Sequence, residues 1–400
     1  MSNKEKILMH KDIAVCSVSF DSRFHLSHIN EIYDISEMPL GYKNMDDGSF
    51  NDSFLSSWWK NNEIPTERHS VRVGLECLGI NSVEELHWLG RGVSLNNHYW
   101  LKSSEETINW KDINFWDNPF SDEIGEALFN HKKKHTNEFL NSPDPALNGV
   151  LKKRWIYRKG DYYLEKGGSG FLAQEVYNEY LISRIFLDAG VIPVIYDLSD
   201  HNTCLCKAFT SNEIEFIPYA QIFESIPRLS TTAYPGENEL EYFYRTLDYY
   251  NVSYEKSYID TMLAVDYITA NTDRHYNNIG LLKDSKGVLS LAPIYDNGSS
   301  LWNLTLTDTI DYESDSIMAR PFGSKDSISS WDKQVHMIQN VPNINEEALR
   351  NTLDDFKNIA KTNSDFSIRR INLICEGILY RYEKIKKLIK KKDISKNKVL

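Results

Sequence analysis

Apolar and polar positions alternate through residues 12–20, DIAVCSVSF, the period of a half-buried strand, and a run at 29–35 is expected to pair with it. Residues 52–60 have helical spacing behind an Asn-Asp cap and carry the bulky pair Trp58 and Trp59. A second short helix is predicted over 82–90, SVEELHWLG, with Ser82 as its N-cap and Gly90 as its stop. Farther on, 121–131 predicts a capped amphipathic helix. Residues 154–157, 162–166 and 203–209 read as strands, with turn signals at 159–161 and 197–202. Between them, 174–189 is apolar at helical spacing and ends at Gly190, so this region runs strand, strand, helix, strand. The remainder is mostly helical, at 239–251, 254–271, 346–362 and 369–392, interrupted by two short apolar runs at 279–282 and 288–291 joined by a polar turn.

Four hundred residues exceed one ordinary domain, and the pattern divides into a mixed α/β unit over 1–120, an α+β unit over 121–215 and a mostly helical unit over 216–400. Aromatic residues are dense between 97 and 120 (Tyr99, Trp100, Trp110, Phe115, Trp116 and Phe120). They form either a stacking platform for a ligand or, the preferred reading, a seam packing the first unit onto the second. The net charge of −12 argues against broad, sequence-independent nucleic-acid binding, so no direct nucleic-acid contact is expected. No apolar run approaches the ~20 residues a transmembrane helix needs, and the first residues lack a secretory-signal pattern, so a cytoplasmic location is expected. Five scattered cysteines suggest no disulfide framework; Cys204 and Cys206 point to one side of a strand and read as buried thiols. His69, His87 and Cys77 match no zinc spacing. Eight lysines crowd the last eighteen residues and read as a solvated helix end.

The chemistry concentrates in residues 271–300, NTDRHYNNIGLLKDSKGVLSLAPIYDNGSS. Asp273 follows a helix, Asn278 comes five residues later, and a predicted hairpin leads to Asp296 in Asp-Asn-Gly. Phosphoryl transfer from ATP needs an acceptor for the substrate hydroxyl proton and oxygen ligands for magnesium from two directions, and this spacing matches a kinase catalytic loop and metal loop. Each piece alone is an ordinary cap or turn. Upstream, Lys166 ends a strand within YYLEKGG, where an ammonium reaches the α- and β-phosphates of a kinase nucleotide, and Glu179 in the next helix is placed to pair with it. Residues 142–154, SPDPALNGVLKKR, offer backbone amides near Gly149 and the charge of Lys153 to phosphates, without a Walker A or Gly-x-Gly-x-x-Gly motif. The strand at 203–209 then leads to the hinge that holds adenine.

On NGVLKKRW, LEKGG, YNEYLISRIFLDAG, ANTDRHYNNIG and LAPIYDNGSSL, residues 121–392 resemble the HipA-like serine/threonine kinases, and Asp-Arg-His-x-x-Asn is also similar to the phosphoinositide 3/4-kinase superfamily. The order Asp-Arg-His, not His-Arg-Asp, sets the chain apart from ordinary eukaryotic protein kinases. The resemblance implies a two-lobed kinase-like α+β fold with a mixed N-terminal extension, using ATP and magnesium. It implies Asp273 as catalytic base, with His275 orienting the loop or the γ-phosphate. Asn278 and Asp296 become metal ligands, and Lys166, supported by Glu179, becomes the phosphate-binding lysine. A protein substrate with a serine or threonine acceptor and an antitoxin-like partner are the implied partners. A lipid or small-molecule kinase and a toxin-like nucleotide-binding module are the alternatives. HipA toxins carry a serine before the phosphate loop whose autophosphorylation ejects that loop; here Pro145 and Ala146 occupy the nearby positions, and Ser142 is the nearest stand-in. The N-terminal residues look longer and more aromatic than the usual HipA N-terminal subdomain. Residues 318–325, MARPFGSK, lie where kinases keep an activation loop, and Arg320 there reads equally as a phosphate contact or as part of a turn packing Phe322.

Overall fold

The computed structural model describes residues 4–42, 52–68, 70–133, 141–169, 172–200, 202–223, 225–228, 237–305, 309–314, 331–340, 342 and 344–396. The segment 318–325 with Arg320, and His69, lie outside the described residues.

Eleven strands among the described residues form three antiparallel sheets. The first contains β1 (Lys4–His10), β2 (Ile13–Phe20), β3 (Leu26–Ile32) and β4 (Tyr99–Lys102), in the order β3-β2-β1-β4. The alternation at 12–20 becomes β2, and its expected partner is β3, three residues earlier than the pattern suggested. The second sheet holds β5 (Lys153–Arg158), β6 (Asp161–Gly167), β7 (Tyr196–Asp200) and β8 (Thr203–Lys207), in the order β5-β6-β8-β7. The turn expected over 197–202 is therefore mostly the edge strand β7, whose polar residues Asp197, Ser199 and Asp200 suit a position paired on one side only. The third sheet joins β9 (Ile214–Pro218) to the hairpin of β10 (Gly280–Asp284) and β11 (Leu289–Leu291).

The helix Gln174–Asp188 packs on the second sheet, and Glu239–Tyr249, Lys256–Ile268, Glu346–Ala360 and Ile368–Lys396 build the helical part of the main core around Ile259, Leu263, Leu353 and Ile374. The aromatic stretch is a packing seam: Trp100, Trp110 and Phe115 share a buried cluster with Met9 of β1, Leu147 and Trp155 of β5. All described cysteines are unpaired thiols, and Cys204 and Cys206 are buried, as their alternation predicted.

Candidate active site

The register of β5 against β6 sets Lys153 directly opposite Lys166, so both ammonium groups leave the same face of the sheet, together with Trp155, Leu164 and, from β8, Cys206. Two facing lysines repel, and neighbouring carboxylates offset that repulsion. Lys166 Nζ donates to Glu179 Oε1 at 2.7 Å and to Asp296 Oδ1 at 2.9 Å, with Tyr196 Oη at 3.2 Å. Glu179 comes from the second turn of Gln174–Asp188 and is fully enclosed, and its other oxygen accepts from the backbone N–H of Asn297 at 2.8 Å. Burial alone would push Lys166 down, but Asp296, Glu179 and their neighbours raise it well above its usual value, so it stays charged. Burial likewise opposes the charge on Asp296, yet Lys166 and then Lys153 hold its carboxyl well below the usual carboxylate range. Lys153 has Asp296 nearby but no such bonded carboxylate, and burial pushes its ammonium down to about 8.

Asp273, His275 and Asn278 lie on one loop after Lys256–Ile268. His275 N–H donates to the Asp273 carbonyl at 2.7 Å, Asn278 N–H to the His275 carbonyl at 2.8 Å, and the Asn278 side-chain amide to the Asp273 carbonyl at 2.8 Å. These bonds close the loop on itself and leave the Asp273 carboxylate two-fifths exposed, 3.8 Å from His275 Nε2. Beneath it lies Arg274, fully buried, which donates to both oxygens of Asp266 at 3.0 and 3.1 Å. The same guanidinium reaches the carbonyls of Asn278 at 3.0 Å and Tyr295 at 2.7 Å, and Asn297 Oδ1. It ties the loop of Asp273 to the loop of Asp296. Asp296 itself has φ +57°, the left-handed region that an Asp tolerates better than most residues.

Across the cavity, residues 147–151 form the loop expected to meet phosphates. Gly149 has φ +113°, a backbone conformation that favours glycine, and a Cβ there would displace the Lys153 ammonium from its place. The first sheet's unit fastens this loop: Arg68 Nε donates to the Gly149 carbonyl at 2.8 Å and its Nη2 to the Leu147 carbonyl, while Asn148 Nδ2 donates to the Asn61 carbonyl at 2.6 Å. Ser142 is sealed from solvent and hydrogen-bonded through Oγ to Asp144 Oδ2 at 3.0 Å.

Gly149, Lys153, Lys166, Asp273, His275, Asn278 and Asp296 all line one cavity of ≈ 810 Å³, with Glu179 behind Lys166. Seven of the eight expected site residues therefore line one cavity, and the eighth, Glu179, supports Lys166 from behind. The cavity volume falls in the range of small-molecule sites. The facing ammonium groups of Lys153 and Lys166 suit polyphosphate, and the Asp296 carboxylate and Asn278 amide are hard oxygen donors of the kind magnesium prefers. Phe209, Phe216 and Tyr295, which also line the cavity, form an aromatic trio with ring centroids 5.4 to 6.0 Å apart. Phe216, Tyr295, Arg68, Tyr196 and Arg274 were not singled out from the sequence. Arg274, inside the Asp-Arg-His element, and Tyr295, inside LAPIYDNGSSL, have a local signal in the sequence.

No protein-family model and no curated protein matches the chain. Among solved structures, it is similar to a chain from the Shewanella oneidensis MR-1 toxin–antitoxin complex of HipA, HipB and operator DNA, with TM-score 0.56 and 14% identity, over 96% of this chain and 99% of that one. It is also similar to the Helicobacter pylori proinflammatory kinase CtkA, with TM-score 0.44 and 17% identity, over 61% of this chain and 95% of that one. The likeness to the Shewanella chain reaches into the N-terminal residues, so these are not wholly an addition to that fold. The fold is of the HipA type, as the resemblance in the motifs led one to expect.

Proposed function

We propose that this protein is a HipA-like kinase that transfers the γ-phosphoryl group of ATP to a serine or threonine hydroxyl. The observation that carries the reading is Lys166 held between Glu179 and Asp296 at 2.7 and 2.9 Å on the wall of a cavity that also presents Asp273 and Asn278. The 1–120, 121–215 and 216–400 divisions are then an N-terminal unit, a nucleotide-binding lobe and a helical lobe. Lys166 and Lys153 bind phosphate oxygens, and Glu179 keeps Lys166 in place. The backbone around Gly149 closes over the phosphates, and the aromatic trio flanks the base. Asn278 and Asp296 would hold magnesium, whose charge offsets that of the phosphates. Asp273 accepts the proton of the acceptor hydroxyl and orients its oxygen, and His275 steadies the loop. An antitoxin-like partner is part of the proposal, supported by the HipA–HipB assembly named for the similar structure. No described helix is long and apolar enough to cross a membrane, and we place the protein in the cytoplasm.

Wild-type and Asp273→Asn protein incubated with ATP and magnesium, followed by intact-mass measurement and phosphosite mapping, tests the reading. The variant is expected to keep its fold and nucleotide affinity while losing transfer by about 10²–10⁴-fold, the usual contribution of a positioned base. Transfer at the wild-type rate in Asp273→Asn would overturn the assignment. Asp296→Ala should lose magnesium-dependent nucleotide binding as well.

A further inference from the structure

The first sheet meets β9 through a buried cluster that the phosphoryl-transfer chemistry does not use. His10 ends β1, His98 immediately precedes β4, and Glu215 lies on β9, all three buried. Glu215 Oε1 is 2.9 Å from His10 Nε2 and 3.7 Å from His98 Nδ1, and the three candidate ligand atoms lie within 4.8 Å of one another.

Hydrogen bonds on the far side of each ring decide what these inner atoms carry. His98 Nε2 is 2.9 Å from the Ser211 carbonyl oxygen, which can only accept, so Nε2 holds the proton and a neutral ring leaves a lone pair at Nδ1. His10 lies between two carboxylates, with Nδ1 hydrogen-bonded to Glu37 and Nε2 to Glu215 Oε1 at 2.9 Å. A cation binding here therefore displaces the proton shared between Nε2 and Oε1, and Glu37 keeps the one at Nδ1. The second Glu215 oxygen accepts from the backbone N–H of His98 at 3.2 Å, which turns Oε1 inward. Ring packing fixes the orientation: His10 stacks on Tyr99 at 4.5 Å, and Trp110 meets His98 edge-on at 5.5 Å. Two imidazole nitrogens and a carboxylate oxygen thus converge in a buried place, where a cation exchanged for the His10–Glu215 proton meets all three as donors. Lys283 Nζ offsets the carboxylate charge from 3.6 Å, beyond ordinary hydrogen-bond distance.

We propose that His10, His98 and Glu215 bind a divalent cation of the zinc class, which staples the first sheet to β9. Two imidazoles and one carboxylate are a zinc-type donor set that leaves the fourth position to water. Glu37 and the Ser211 carbonyl are the outer acceptors that orient metal-bound histidines. The proposal is independent of the kinase reading, although Glu215 also lines the large cavity, so the cation would brace one of its walls.

The full-length chain, stripped with chelator, is titrated with zinc against a chromophoric competitor and with cobalt(II) followed by visible absorption. Wild type and Asp296→Asn are expected to take up a single tight equivalent and to give the intense cobalt bands of a low-coordinate site. His98→Ala and Glu215→Gln lose that equivalent. Glu37→Gln, which keeps all three ligands, weakens it by about 10–100-fold, the usual effect of removing an outer-shell partner. Circular dichroism checks each fold, and if the ligand variants unfold, the wild-type and Glu37→Gln titrations decide. A wild type with no tight zinc overturns the proposal and leaves a proton shared between His10 and the two glutamates. Zinc lost in Asp296→Asn also overturns it, by placing the metal at the nucleotide cavity, as does zinc retained by folded His98→Ala and Glu215→Gln.

Discussion

Arg274 shows how much of the site depends on one side chain without a direct part in the chemistry. It is enclosed completely, paired with Asp266, and bonded to both loops that carry the proposed catalytic groups. Removing one partner of a buried ion pair strands the other charge, so Arg274→Met should cost about 3–5 kcal/mol of stability, measured by urea unfolding, and abolish transfer in whatever protein remains folded. Lys153 supports a prediction in pH. Its folded-state value is lowered to about 8 from 10.5, so the folded protein gives up this proton more readily than the unfolded chain. The desolvation penalty on the ammonium is therefore present below about pH 8 and relieved as pH rises from there toward 10.5, so this group's contribution to stability improves over that window. Nucleotide affinity should move the other way, because phosphates need the charge: about a tenfold loss from pH 7 to pH 9 by calorimetric titration. Lys153→Met should bind weakly at both pH values and show no such alkaline loss.

Among elements, the β5–β6 hairpin and the 147–151 loop show most clearly the difference between local pattern and tertiary placement. The alternation of both strands was legible, as was the helix that carries Glu179. The pairing of Lys153 with Lys166 depends on hairpin register, and a shift of one residue would send one lysine to the opposite face. β1 and β9 went unread. β1 runs KEKILMH, with a charged start and a short apolar core, and becomes a central strand because β2 and β4 pair on its two sides. β9 earns its place by pairing with β10, more than sixty residues later in the chain. The loop offers its own test. Arg68 Nε holds the Gly149 carbonyl at 2.8 Å and Nη2 holds that of Leu147, so Arg68→Ala should free the loop while leaving the cavity's lysines in place. Hydrogen exchange at residues 147–151 should accelerate, and KM for ATP should rise by about tenfold, the equivalent of one charge-assisted hydrogen bond of roughly 1.5 kcal/mol.

At the scale of the whole molecule, the N-terminal unit is structurally continuous with the rest. Met9, Trp100, Trp110 and Phe115 bury Leu147 and Trp155 in one cluster, and Gly125 and Gly74 allow two helices of adjoining units close approach to their neighbours. Each large apolar side chain uncovered would forfeit about 1.5–3 kcal/mol. A fragment beginning at residue 121 is therefore expected to aggregate or to lose its cooperative thermal transition, as judged by gel filtration and circular dichroism. A monomeric, cooperatively melting fragment with intact nucleotide affinity would show that the seam is dispensable.

Local sequence determined most of the long helices and the strands β2, β5, β6, β8, β10 and β11, but not β1, β7 or β9. It also pointed to the residues proposed to carry chemistry, because the spacing of Asp273, Asn278 and Asp296 spans only one loop and one hairpin. The Lys166–Glu179 pair was legible for a similar reason, a strand followed directly by a helix. The tertiary structure alone decided the facing of the two lysines, the Arg274 tie between the loops, the Arg68 clamp and the meeting of His10, His98 and Glu215. These join residues through sheet register, through loops that meet only in the folded chain, or across separations such as the 117 positions between His98 and Glu215. No periodicity in a chain reports such distances, because the free energy that brings those groups together comes from burying the surfaces that carry them.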